Sequence, residues 1–259
     1  MKKSYLSAIA LLSSVSLAPG ALADDGWYGA FGAGVGHQEL DSDEDSIGVD
    51  TYFGEGVIIA PISGNLAVQL DANYSSVSDD DFTGDVWTAS GHLIWRGDGY
   101  AAGGYVGLIE ADEVSSWVAG GEYAAFFGPA TFALGAGYGQ IDVEEETADL
   151  YGVTGEVRYF TYENLRFDGR FGWQQASEGG LDETILTYGV GGEWKPTMGP
   201  VSVFASYDRL DLQDFDASVD TYSIGLRVLF GPGDTLMLRD REGTTFRPFG
   251  GFESIAGSL

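Results

Sequence analysis

From Trp27 to Phe230 the chain repeats one pattern, a run with an apolar residue at every second position followed by a short break. The run 220–230 shows it most plainly. Tyr222, Ile224, Leu226, Val228 and Phe230 are apolar, while Thr221, Ser223, Gly225 and Arg227 are small or polar, with Leu229 the exception. Period-two alternation belongs to an extended strand with two unlike faces. Beyond residue 23 no segment approaches the roughly 18 uninterrupted apolar residues of a spanning helix, so any membrane crossing must be made with strands.

The runs fall at 27–36, 47–59, 66–77, 86–95, 100–109, 114–127, 131–143, 150–162, 165–175, 184–194, 201–210 and 219–230. Each reaches the roughly 9–11 residues that a tilted strand needs to cross a bilayer. No linker or shift in composition divides them. The expectation is therefore an all-β chain, one up-and-down antiparallel barrel of about 12 strands, with about 10–14 compatible. The second and fifth runs alternate least well, because Glu55 falls among apolar positions and Tyr105 sits off the expected face.

Two kinds of connection alternate without a slip. Those at 61–65, 96–99, 128–129, 163–164 and 196–200 are short and poor in acid, and those at 41–46, 79–85, 110–113, 144–149, 178–183 and 211–218 are acidic. Rings mark both ends of the apolar rows: Trp87 and Trp95, Trp117 and Phe127, Tyr151 and Tyr159, and Tyr222 and Phe230, with Trp173 and Trp194 completing the set. Within each pair the spacing is even, so both rings point the same way. Ten residues at about 3.3 Å, tilted by about 40°, span roughly 25 Å, the height of an outer-membrane apolar band. A soluble sandwich could alternate equally well, but it has no reason to place rings at both ends of each row.

Residues 1–23 read as a cleaved export signal: Lys2 and Lys3, an apolar stretch, then Ala21-Leu22-Ala23 before Asp24. The stretch is short and broken by serines and Pro19, unlike an anchor. The chain contains no cysteine, which excludes a disulfide-stapled fold. Its formal net charge is −28, or −30 once Lys2 and Lys3 are removed. Such a surface repels nucleic acid, draws cations and favours solubility in salt.

The pattern Ser223-x-Gly225-x-x-Val228-x-Phe230 resembles the closing-strand signal of Gram-negative outer-membrane β-barrels, and the opening Gly26-Trp27-Tyr28-Gly29 also resembles that porin-like family. In this chain the signal is internal, since 259 − 230 leaves 29 residues beyond Phe230. The resemblance implies recognition by the barrel-assembly machinery and contact with outer-membrane lipid and lipopolysaccharide. It also implies short turns and both termini in the periplasm, acidic loops outside, and a monomer as the simplest state. The activity expected of such a barrel, without cofactor, is passive diffusion of small polar solutes or ions. The alternative is a non-conducting structural barrel with its lumen plugged by charge.

The face opposite the rings should line the lumen. Its richest stretch holds Glu156, Arg158, Arg166, Asp168, Arg170, Glu193 and Lys195, with Gln69, Asp71, Asn73, Ser90, His92 and Glu122 more scattered. Pairing Phe160 with Arg166 sets Arg158 against Asp168 and Glu156 against Arg170. A two-residue shift sets Arg158 against Arg166, and like charges directly opposite are destabilising, so the first register is expected. Ala133, Gly135, Gly137 and Gly139 form a small-residue wall that should leave space inside.

The acidic connections form an expected rim of Asp41, Asp43, Asp45, Asp79, Asp80, Asp81, Glu144, Glu145 and Glu146. Asp41 to Asp45 begins like a calcium loop, but Ser46 and Tyr52 stand where glycine and glutamate belong, so no metal site is assigned. Gly32-Ala-Gly34 and Gly135-Ala-Gly137 precede no helix and are strand glycines, and Arg96-Gly97-Asp98 is a turn. Ser90 and His92 share a strand face, where neighbours lie about 7 Å apart, too far for a direct bond, and no enzyme is expected. The segment 231–259 has no clear period and reads as a flexible periplasmic extension. A sharper alternative docks Arg239, Arg241 and Arg247 into the barrel mouth or onto a partner.

Overall fold

The computed structural model describes residues 26–42, 46–78, 83–111, 114–143, 146–178, 181–196, 199–214 and 217–248. Within them the alternating runs become β1 (Tyr28–Asp41), β2 (Ser46–Ser63), β3 (Leu66–Ser78), β4 (Thr83–Gly97), β5 (Tyr100–Ala111), β6 (Val114–Phe127), β7 (Ala130–Val143), β8 (Glu146–Tyr162), β9 (Leu165–Glu178), β10 (Leu181–Trp194), β11 (Val201–Leu212) and β12 (Ala217–Phe230). Every strand pairs with its sequence neighbours, and β1 pairs antiparallel with β12 to close the barrel. Closure leaves no strand edge to be satisfied by lipid or by another chain. The leader 1–23 and the rim residues Asp43, Asp45, Asp79, Asp80, Asp81, Glu144 and Glu145 lie outside the described residues.

At one end, the turn end, the strands reverse through Gly64–Asn65, Asp98–Gly99, Gly128–Pro129 and Glu163–Asn164. Gly99 (φ 80°) and Gly128 (φ 53°) take left-handed conformations that a tight hairpin demands and a side chain resists. At the opposite loop end the strands run further than the alternation alone indicates. Asp41 is paired with Ser46 and Ser218, and Glu146 with Val143, so both belong to strand ends rather than to free loops.

The outer surface carries two belts of rings. Near the loop end Tyr74 meets Trp87 (4.4 Å between centroids), Trp117 meets Tyr138, Tyr151 meets Trp173 and Tyr207 meets Tyr222. Near the turn end Tyr100 meets Tyr123 and Phe127 meets Phe132. Trp95, Tyr159 and Trp194 stand exposed in the same belt. Between the belts the outward row is apolar, for example Val153 and Val157 on β8 and Ile224 and Leu226 on β12. Phe230 departs from the expected exposed ring: it is only 6% exposed. Its partner across the seam is Gly29, whose missing side chain leaves room for the ring to lie across β1 and stack on Phe31 at 5.4 Å.

Inside, the small-residue wall is not empty. Tyr105 points inward and its ring covers Gly120 and Gly137, where any Cβ would collide with it. Together with Val86, Ile109, Val118, Ile141 and Leu150 it makes an apolar filling toward the loop end of β4–β8. The residue that looked misplaced in the sequence is thus the one for which the glycines make room.

Beyond β12 the chain does not run away from the barrel. Gly231 and Gly233, both at φ 95°, turn it back across the mouth of the turn end. Thr235 then caps a short helix, α1 (Leu236–Glu242), by accepting from the Leu238 N–H. The expected flexible extension gives way, over residues 231–248, to a packed segment whose Leu236, Asp240, Thr245 and Phe246 are buried. The reason is physical: apolar anchors and hydrogen-bonding partners for the tail are already present on the inner wall.

Candidate functional site

β8 and β9 align Phe160 with Arg166, Arg158 with Asp168 and Glu156 with Arg170, the register that keeps like charges apart. The closest ion pairs nevertheless run along and between strands rather than straight across. Arg158 pairs with Glu156 on its own strand and, at 2.5 Å, with Asp240 of the tail. Arg166 reaches Asp168 (3.3 Å) and Glu193 (3.2 Å), and Arg170 reaches Asp168 (3.6 Å) and Asp208 (3.1 Å). Arg227 ties Glu193 (2.7 Å) to Glu55 (2.6 Å). Glu55, irregular in the sequence, is an inward carboxylate with a dedicated partner. Lys195 donates to the Asp234 carbonyl at 2.8 Å rather than to a carboxylate.

Arg227 also lies 4.6 Å above the Phe204 ring, which is 6.0 Å from Phe53 across the β1–β12 seam. Both rings project inward over glycines, Gly34 beneath Phe53 and Gly225 beneath Phe204. The sequence reading missed Arg227, Glu55, Phe53 and Phe204. For Arg227 the signal was available, since it occupies the polar row of the clearest strand. Gly225, read as part of the closing signal, has a second use as the floor for Phe204.

A second polar group sits on β3, β4 and β6. His92 lies between Glu122 (Nδ1 to Oε1, 2.8 Å) and Asp71 (Nε2 to Oδ2, 3.1 Å). Ser90 Oγ is 3.2 Å from His92 Nε2, so the expectation that these two cannot touch is corrected. Their side chains converge because Asp71 lies directly opposite Ser90 and accepts from it at 3.3 Å. The ring nitrogen facing Ser90 also faces the Asp71 carboxylate, Ser90 donates to that carboxylate, and all four side chains, Asp71, Ser90, His92 and Glu122, are buried. Gln69 extends the chain of bonds, donating to Asp71 and to the Phe246 carbonyl of the tail.

Between the two groups a cavity of about 310 Å³ remains, lined by Asn73, Thr88, Arg166, Arg170, Asp208 and Arg227 among others. Its turn-end side is formed by Arg158, Phe246 and Arg247. Toward the loop end Ile185, Leu210 and Val219 pack together on β10–β12. On the outward row of that end Arg209 bridges Asp211 and Asp220, both at 2.9 Å. The lumen therefore has three layers: partly apolar at the loop end, charged in the middle, and filled by the chain's own tail at the turn end.

Comparison with known proteins bears on the architecture. No protein-family model matches the chain, and no curated protein matches it in sequence. Among solved structures it is similar to the COG4313 outer membrane channel from Pseudomonas putida F1, with a TM-score of 0.60 at 11% identity over 79% of this chain and 95% of that one. It is similar to the KdgM porin in complex with disordered oligogalacturonate, with a TM-score of 0.51 at 8% identity over 76% and 98% of the two chains. It is also similar to the beta domain of the Bordetella autotransporter BrkA, with a TM-score of 0.50 at 14% identity over 77% and 98%. At such identities the likeness is one of fold, that of the outer-membrane β-barrels.

Proposed function

We propose that this chain is an outer-membrane channel for passive diffusion of small polar solutes or ions, with its short turns and both described ends of the barrel chain on the periplasmic side. The observation that carries this reading is the charged cavity inside a closed barrel whose outer surface is an apolar band between two belts of rings. Charged groups inside a water-filled passage select by charge and size, and the acidic loop connections favour cations at low salt. The similar channel and porin structures support the reading at the level of architecture. A barrel of twelve strands encloses more than a side-chain-filled barrel of about eight and less than a wide porin of about sixteen. The packed tail favours a second reading, a barrel that never conducts.

Unitary conductance separates the two. The refolded chain, verified by heat-dependent gel mobility, is placed in a planar bilayer under a salt gradient. Openings of uniform size with a cation-shifted reversal potential support the channel. Silence both from this chain and from a variant with its tail released establishes the closed barrel.

A further inference from the structure

We propose that the segment Gly231 to Pro248 is a tethered plug, and that its release from the turn-end mouth is the opening step of the channel. The inference rests on the channel reading but adds to it where the passage is shut and by what.

The segment spans the lumen rather than lining it. The Phe246 carbonyl accepts from Gln69 on β3 at 2.8 Å, while the next residue, Arg247, reaches Glu156 on β8 at 3.3 Å. In a ring of twelve strands, β3 and β8 are five apart, close to opposite walls. Thr245 adds a second link across a third of the ring: its hydroxyl accepts from Arg96 on β4 at 2.7 Å and its carbonyl from Arg158 on β8 at 2.6 Å. A chain bonded at consecutive residues to such well-separated walls crosses the passage between them. Asp240 adds an ion pair with Arg158 and accepts from Thr131 of β7 at 2.6 Å. Phe246 packs against Ile59, Ala67, Ile94, Ala101 and Ala124 on one side of the ring, and Leu236 against Ala30, Phe160 and Leu229 on the other.

The manner of attachment is that of a removable part. The segment follows the last strand, so it can leave without breaking a ladder bond. Its helix has seven residues, too few to persist alone in water, so docking and helix formation occur together. It is held by two apolar anchors and a set of polar bonds, while every strand is held along its length by two neighbours. The turn at Gly231 and Gly233 supplies the pivot.

The test uses the full chain with Asp240→Lys, which sets a cation beside Arg158 outside the barrel strands. Gel mobility checks that the barrel still forms. The expected result is a rise of at least about a hundredfold in the ratio of open to closed time, the scale of losing a buried ion pair. It is paired with Thr131→Cys/Asp240→Cys, joined by a short reducible bis-methanethiosulfonate bridge. This variant should be closed when bridged and should open on reduction. If the parent chain and both variants conduct alike, bridged or reduced, the plug is overturned and the channel stands. If no chain conducts in any state, the channel reading falls first. If Asp240→Lys fails to form a barrel, the bridged and reduced states of the double variant decide alone.

Discussion

The two ends of the barrel use charge in opposite ways. At the turn end the Arg158 side chain is 5% exposed and its partners Glu156 and Asp240 are buried with it; at the loop end Arg209 is 31% exposed between Asp211 and Asp220. Arg239, in the tail, is buried with the carbonyls of Phe230, Gly231 and Gly233 as acceptors. Burial draws its pKa down, as expected for a cation offered carbonyl dipoles instead of a carboxylate. The turn end thus uses its charges to hold the tail in the lumen, and the loop end keeps Arg209 and Asp211 partly open to solvent around a buried Asp220. Charges of the first kind are strong and insensitive to salt, and those of the second are weak and screened.

The contrast can be broken by treating both ends alike. Arg158→Met should be the most damaging change, because it leaves Asp240 and the Thr245 carbonyl without their cation. Tail docking should weaken by about 3–5 kcal/mol, read as trypsin cleavage at Arg239 and Arg241 in a barrel that remains folded. Thr131→Val removes one hydrogen bond to the same carboxylate and keeps the ion pair. It should cost about 1.5 kcal/mol of docking by the same protection assay, and a loss as large as that of Arg158→Met would mean the hydroxyl rather than the guanidinium organises the dock. Arg209→Met at the loop end should change the thermal midpoint of the barrel by less than about 1 kcal/mol equivalent. Salt should separate the ends with no mutation at all. Going from about 0.1 M to about 1 M shortens the Debye length from about 10 Å to about 3 Å. The cation-shifted reversal potential should collapse while tail protection holds, and loss of both together would erase the distinction.

How much of this could be read from the sequence follows from what produces each feature. Strand number, order and the β8–β9 register come from local alternation and charge repulsion, and both are written in consecutive residues. The Ser90–His92 contact was misjudged because backbone spacing was taken for side-chain reach, and Asp71 on the next strand draws the two together. Tyr105 looked like an error because its room is made by Gly120 and Gly137, which only closure brings beneath it. The tail was hardest. Its residues show no clear period, and its docking partners lie on β3, β4, β7 and β8, far from it in sequence.

One consequence concerns the order of events during assembly. Arg239 donates both to the Gly29 carbonyl of β1 and to the Phe230 carbonyl of β12, the two strands whose meeting shuts the ring. That pair of acceptors does not exist side by side until the seam has zipped. The Arg239 part of the dock can therefore form only in a finished barrel. On the tethered-plug proposal, a barrel that closes before residues 231–248 dock is, for that interval, a leak in the membrane that holds it.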